Sequence, residues 1–294
     1  MSIDLHAHTT ASDGSLSPCE LVSRAREIGL SALGITDHDT IGGWNEAFEA
    51  GAQAGIEIVP GVELSVSYEG GRFHLLGYYI DPDSALIETL KRIQAARADR
   101  NGEILDNLRA LGLPLEEAFV RSFSGSPDGQ LGRPHFAQAM VARGYVSSTQ
   151  QAFDLYLADG KPAYATKAVL TPRDAIEGIR AAGGVSVWAH PPLNRHFSLD
   201  ELGQKAAQWR AWGLDGLETF YSKYTPEENA WARAVCCELD LIESGGSDFH
   251  GRSKPTVFLG QSFAHQPVPD EVLQKLKARR DTVREQAARE QAPM

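Results

Sequence analysis

Short apolar runs alternate with stretches of helical periodicity at both ends of the chain, a pattern that predicts β-α units around a parallel sheet or barrel. The runs at residues 3–8, 32–36, 57–63, 184–189, 216–220 and 241–246 are apolar or β-branched and several end in turn residues, so each reads as a strand. Residues 73–80 read as the return arm of a hairpin across Glu69-Gly70-Gly71. Between the strands, Ser17-Pro18 and Thr171-Pro172 supply start signals for helices over 18–28 and 172–182.

The middle of the chain follows another rhythm. Residues 84–164 carry helical periodicity with breaks at Gly112, Gly132 and Gly144 and no strand-like run, which predicts a helical insertion. One long amphipathic helix is expected over 84–111, and Ser124-Gly125-Ser126-Pro127-Asp128-Gly129 reads as a flexible or substrate-facing turn. The charged, Ala-rich stretch 281–294 is expected to fray.

Composition narrows the class. A chain of 294 residues with 42% apolar and 23% charged positions is an ordinary globular protein, sized for one large domain or one with an insertion. Its 28 basic residues against 39 acidic ones leave a net charge of −11, the wrong sign for gripping long nucleic acid, so any anionic substrate needs locally supplied positive charge. Cys19, Cys236 and Cys237 form no disulfide framework and point to a reducing compartment. With neither a leader-like start nor an apolar run of about 20 residues, the expectation is a cytoplasmic protein without a membrane segment.

Six of nine histidines sit at predicted strand ends or beside carboxylates: His6, His8, His38, His74, His190 and His250. In Ile3-Asp4-Leu5-His6-Ala7-His8, strand alternation puts Ile3 and Leu5 on one face and both imidazoles on the other, within reach of one ion. In a β-α barrel the carboxyl ends of strands converge, so Asp13, Thr36-Asp37-His38-Asp39, Gly61-Val62-Glu63, His74, Ala189-His190-Pro191 and Ser247-Asp248-Phe249-His250 become one site. Neutral imidazole and carboxylate are ligands for zinc, manganese and iron. Any one fragment alone is weak; their joint placement at strand ends is what neither a packed core nor a solvated surface accounts for. His196 and His265 read as ordinary surface histidines, and His135 as lying outside the metal shell.

In order, DLHAHTTASDGS, GITDHDT, GVELS, His74, AHP and SDFH resemble the PHP (polymerase and histidinol phosphatase) family from the first residues to about Gly260. The resemblance implies an α/β fold, a distorted seven-stranded β-α barrel formed by 1–83 and 165–294, with residues 84–164 inserted and contributing to substrate binding. It implies three divalent ions, manganese first and zinc, iron or magnesium as alternatives. His6, His8, Glu63 and Asp248 would hold the first ion; Glu63 would bridge to a second held by His74 and His190; Asp13, His38 and His250 would hold the third. Asp13 stands where some relatives carry histidine. Within the insertion, GRPHFAQAMVARGYV and GKPAY are similar to the branch containing nucleoside 3',5'-bisphosphate phosphatases and 5'-to-3' exoribonucleases.

The implied activity is hydrolysis of the 3'-phosphate of nucleoside 3',5'-bisphosphates by a metal-bridging hydroxide, extending to short RNA trimmed from its 5' end. Three divalent ions bring +6 against −3 from Asp13, Glu63 and Asp248, a local surplus that suits a phosphoryl dianion despite the acidic total. Arg133 and His135 are the substrate-binding candidates, with Lys161 a weaker one, and Asp37 and Asp39 are candidates for orienting His38. A histidinol-phosphate phosphatase is the nearest enzymatic alternative. A non-catalytic domain in which ions only staple the fold is the alternative from another class. The expected partner is a small phosphorylated nucleotide or short RNA, with no long DNA, membrane or obligate protein partner.

Overall fold

A computed structural model describes residues 2–69, 71–124, 131–165 and 169–291. Residues 125–129 of the expected flexible or substrate-facing turn lie outside the described residues. Among the described residues eight strands form one sheet: β1 (Ser2–Ala7), β2 (Leu30–Ile35), β3 (Glu57–Tyr68), β4 (Gly71–Tyr78), β5 (Val185–Ala189), β6 (Gly216–Tyr221), β7 (Ile242–Gly246) and β8 (Val268–Pro269), in the order β7-β6-β5-β4-β3-β2-β1-β8. Pairing is parallel except that β4 runs against both neighbours and β8 against β1.

The sheet curls until its ends meet. Beyond β7, Asp248 N donates to His6 O at 2.8 Å and His8 N to Phe249 O at 2.9 Å, so the strand-end segments carrying chemistry are those that complete the barrel. Two glycines allow the backbones this close: a Cβ at Gly34 would lie 2.2 Å from Leu5 O, and one at Gly246 2.4 Å from His6 N.

The architecture is a barrel-like α/β fold, with one correction to the expected seven strands. β8 adds two residues to the outer edge of β1, pairing Pro269 with Ser2 and Val268 with Ile3, and two residues are too short to leave a period-2 pattern. β3 also continues from the expected end at Glu63 to Tyr68, because Leu64 and Val66 keep the alternation going opposite Leu75 and Phe73.

Outside the sheet lie α1 (Pro18–Glu27) and α2 (Trp44–Ala54), with α1 begun by a capping box between Ser17 and Glu20. Between β4 and β5 come α3 (Ala85–Ala110), α4 (Glu117–Arg121), α5 (Arg133–Ala142), α6 (Thr149–Ala152), a π-helical turn (Phe153–Leu157) and α7 (Pro172–Ala181). The segment up to that turn buries its own cluster, including Ile104, Leu108, Phe136, Met140 and Leu157, separate from the barrel's clusters. The later helices are α8 (Leu199–Ala211), α9 (Pro226–Glu238) and α10 (Asp270–Gln291). The barrel interior is filled by Ile3, Leu5, Val59, Leu76 and Val187, closed from below by Val272 and Leu276 of α10.

The expected fraying from residue 281 is corrected: α10 runs through to Gln291 because Val283 is buried and Arg284 donates to Gly183 O at 3.2 Å and Tyr79 O at 3.0 Å. No described helix is long and apolar enough to cross a membrane.

Candidate metal centre

Glu63 is the hub of the site. It sits on β3, buried, with its backbone N donating to Asp37 O at 3.1 Å and its O accepting from Asp39 N at 3.0 Å, which docks the loop after β2 and brings His38 alongside. Its two carboxylate oxygens face different groups. Oε2 lies 3.2 Å from His6 Nε2, 3.0 Å from His8 Nε2 and 3.3 Å from His38 Nδ1. Oε1 lies 2.8 Å from His74 Nδ1 and 3.0 Å from His190 Nε2.

Asp248 completes the first group, its Oδ1 3.4 Å from His8 Nε2 and 3.6 Å from His6 Nε2. A third group forms around Asp13, whose Oδ1 is 3.2 Å from His250 Nε2 and 3.7 Å from His8 Nδ1, and whose Oδ2 is 3.9 Å from His38 Nε2. All nine residues expected to bind ions therefore gather at one end of the barrel.

Two of them occupy a costly backbone region. His190 has φ +32° and Asp248 φ +58°, conformations that L-residues adopt only when the surroundings enforce them. Asp248 is enforced by its N–H bond to His6 O and by Tyr221 Oη and Lys254 Nζ, each donating to its Oδ2 at 2.7 Å. His190 is enforced by Glu218, whose Oε2 accepts its backbone N–H at 2.8 Å.

Glu218 also meets His6 Nδ1 at 2.9 Å through its other oxygen, which fixes the ring and turns Nε2 towards Glu63 and Asp248. His250 is set the same way: Nδ1 donates to the carbonyl of Asp248 at 2.9 Å, leaving Nε2 for Asp13.

The donor set fits divalent ions. His6 Nε2, His8 Nε2, His38 Nδ1, His74 Nδ1, His250 Nε2 and Glu63 Oε2 are buried and close together, yet none makes a hydrogen bond. Buried polar atoms are almost always satisfied, so a convergent orphan group calls for a partner of another kind. Atoms each about 2.1 Å from one ion stand roughly 3.0–3.4 Å apart, the spacing seen around Glu63 Oε2.

Electrostatics point the same way. Burial would raise the pKa of Glu63, but the imidazoles of His74, His38 and His6 outweigh it and hold the carboxyl well below its usual range. Asp248 is lowered by Lys254, His250 and His6, and Asp13 by His250 and His38, in each case against burial. His6 goes well above its ordinary value because Glu218 and Glu63 overcome burial, and His8 reaches about 9 through Asp248 and Glu63. His38 and His250 are pushed down, first by burial and, among their neighbours, by the positive charge of His8.

A cavity of about 700 Å³ opens onto this cluster, lined by His38, Glu63, His74, His190 and Asp248 at one part and by Arg72, Arg133, Phe153 and Asp159 at another, with Lys223 and Lys254 between strand ends. Arg133 thus borders the cavity as expected. His135 does not: its ring is buried beneath α5, where Nδ1 accepts the Gly132 N–H at 3.1 Å and serves the helix start. Lys161 is exposed away from the cavity lining, and His196, read as a surface residue, is exposed at the cavity rim. Asp37 and Asp39, expected to orient the His38 ring, show carboxylate contacts to other groups. Asp37 accepts from Thr9 and Ser12, and Asp39 from the backbone and hydroxyl of Ser65, so both hold loops.

Sequence reasoning missed Glu218, Tyr221, Lys254 and Arg72. Glu218 carried a usable signal, a carboxylate inside the short strand-like run Gly216–Tyr221; Lys254 lies in an irregular loop that offers none.

A model of the PHP domain matches residues 4–150. A 5'-3' exoribonuclease of Haemophilus influenzae is 39% identical over 248 residues, 84% of this chain and 89% of that protein. A 3',5'-nucleoside bisphosphate phosphatase of Chromobacterium violaceum is 32% identical over 279 residues, 95% of this chain and 97% of that one. The crystal structure of a Bifidobacterium adolescentis protein classed as a metal-dependent phosphoesterase superposes with a TM-score of 0.84 at 31% identity, covering 94% of this chain and 96% of that one.

Proposed function

On the premise that this chain belongs to the PHP-domain family of metal-dependent phosphoesterases, we propose that it removes the 3'-phosphate from nucleoside 3',5'-bisphosphates such as adenosine 3',5'-bisphosphate, and trims short RNA from its 5' end. The chain is a hydrolase of phosphate esters. The observation that carries the substrate reading is a single cavity bounded by the unsatisfied imidazole and carboxylate atoms on one part and two arginines on another.

The contacts around Glu63 and Asp13 support a reading with three ion positions. His6, His8, Glu63 and Asp248 would hold the first ion, Glu63, His74 and His190 the second, and Asp13, His38 and His250 the third. Mixed imidazole and carboxylate donors suit manganese, with zinc, iron or magnesium as alternatives. Such ions would supply Lewis acidity to the phosphoryl oxygens and acidify water near neutral pH.

The protein's own groups do the rest. Glu218 sets the ring of His6, Tyr221 and Lys254 set Asp248, and Lys223 and Lys254 add positive charge to the wall facing the phosphoryl group. Preorganised charge is the main demand of phosphoryl transfer, and groups already fixed meet it without rearrangement. Structural metal sites are closed by protein ligands, and a cavity opening onto Glu63, His74 and His190 weighs against a domain that ions merely staple.

Phosphate release from adenosine 3',5'-bisphosphate and from histidinol phosphate, measured side by side with manganese-loaded protein, tests the reading. Preferential release from the bisphosphate is expected. Preferential release from histidinol phosphate, or none from either, would overturn it.

A further inference from the structure

The residues grouped around the third ion position are held in place by unlike means. His38 is fixed to β3 by the two backbone bonds its chain neighbours make with Glu63, and His250 by the bond from its Nδ1 to Asp248 O. Asp13 lies off the strands, in a bend over residues 9–15. That bend is folded on itself by Ser12 N and Gly14 N, which donate to Thr9 O at 3.1 and 2.9 Å. Its position over the barrel is set by side chains and backbone of two other loops.

Asp37, buried and next to His38 in the chain, grips the bend at three points. Its Oδ1 accepts from Thr9 N at 2.8 Å and from Ser12 Oγ at 2.6 Å, and its Oδ2 accepts from Thr9 Oγ1 at 2.8 Å. Ser15 meets the loop after β7: its N donates to His250 O at 3.1 Å, and its Oγ accepts from Arg252 N at 2.9 Å. Both ties therefore join chain neighbours of ion-binding candidates, Ser12 beside Asp13 with Asp37 beside His38, and Ser15 with His250. The Asp37 tie is the stronger, because hydrogen bonds to a carboxylate exceed neutral ones and burial removes competing water.

We propose that Asp37 is the positioning residue for the third ion. By holding the bend against the His38 loop it keeps Asp13 Oδ2 3.9 Å from His38 Nε2 and Asp13 Oδ1 3.2 Å from His250 Nε2. The residues grouped around the first two positions, His6, His8, Glu63, Asp248, His74 and His190, all lie outside the bend, so the third position can empty while the others stay filled. The proposal rests on the three-ion reading above for the occupant, not for the tie itself.

Manganese titrated into chelated protein, with bound ions counted by elemental analysis after equilibrium dialysis, tests it. Where the parent protein holds three ions, Asp37→Ala holds two, and the third returns only at about 10- to 100-fold higher manganese. That return separates a displaced ligand from a damaged fold. Ser12→Ala removes one of the three bonds and weakens the third ion roughly fivefold, which keeps the test open should Asp37→Ala not fold. Parent-like affinity for the third ion in the folded variants overturns the proposal, as does loss of all three ions together from folded Asp37→Ala. If the parent itself binds fewer than three ions, the three-ion reading fails by itself, and hydrogen exchange in chelated protein decides the tie: faster exchange at the Gly14 and Ser15 amides of Ser12→Ala supports it, and equal exchange refutes it.

Discussion

The two functional parts of the cavity are built by different means. The imidazole part is made of strand ends: its nine ion-binding candidates come from β1, β3, β4 and the segments just after β1, β2, β5 and β7, and most are buried and held by further buried groups such as Glu218 and Tyr221. The arginine part joins one strand residue, Arg72, to Arg133 at the start of α5 and Asp159 beyond the π-helical turn, and its side chains are partly exposed. Rigid strand ends suit a reaction that needs fixed charge, whereas a wall assembled partly from an inserted segment can change specificity without disturbing the chemistry.

Substitutions in the first part should cost most. Asp248→Asn keeps the shape of a residue already locked by His6, Tyr221 and Lys254 but removes a ligand charge, and turnover should fall at least about a thousandfold with the fold retained by circular dichroism. Turnover equal to that of the unmodified enzyme would place the chemistry elsewhere. Glu218→Gln should weaken metal affinity about 10- to 100-fold, because the amide no longer pairs with His6 as a carboxylate does. A metal titration that matches the parent protein would show that Glu218 merely fills space.

The same part responds to pH. In ion-free protein His8 holds its proton up to about pH 9, against 6.5 for an unperturbed histidine. A raised pKa contributes stability that is complete below pH 6.5 and lost as pH rises through 9. Chelated protein should therefore melt on the order of a few degrees lower at pH 9 than at 6.5. Divalent ions compete with that proton, so apparent metal affinity should rise over the same window. A melting temperature that rises from pH 6.5 to 9 in chelated protein would contradict this. The smallest effect is expected in the arginine part. Asn194→Ala removes one bond to the Arg72 carbonyl, worth about 1 kcal/mol, and should raise KM for the bisphosphate roughly threefold with kcat little changed. Loss confined to kcat would tie Asn194 to the other part.

The contrast also explains what could be read from residues alone. His6, His8, His38, His74, His190 and His250 stand at strand ends in short polar motifs, and strand ends converge in any barrel, so their meeting around Glu63 follows from topology. Glu218 was legible only as a carboxylate within a short strand. Arg72 gave no signal, because an arginine beside a hairpin is an ordinary surface residue until α5 and the turn before Asp159 fold over it. His135 misled for the opposite reason: its place in Gly132-Arg133-Pro134-His135 suggested a ligand-binding pair, yet one helical turn directs it back to Gly132. β8 and the full length of α10 depended on contacts with β1, Gly183 and Tyr79, distant in the chain.

The most direct test of the central claim counts ions and turnover in one sample. Purified protein loaded with manganese should carry three ions per chain by elemental analysis and release phosphate from adenosine 3',5'-bisphosphate; chelation should abolish both, and manganese should restore them. Undiminished release from protein shown to contain no metal would contradict the account.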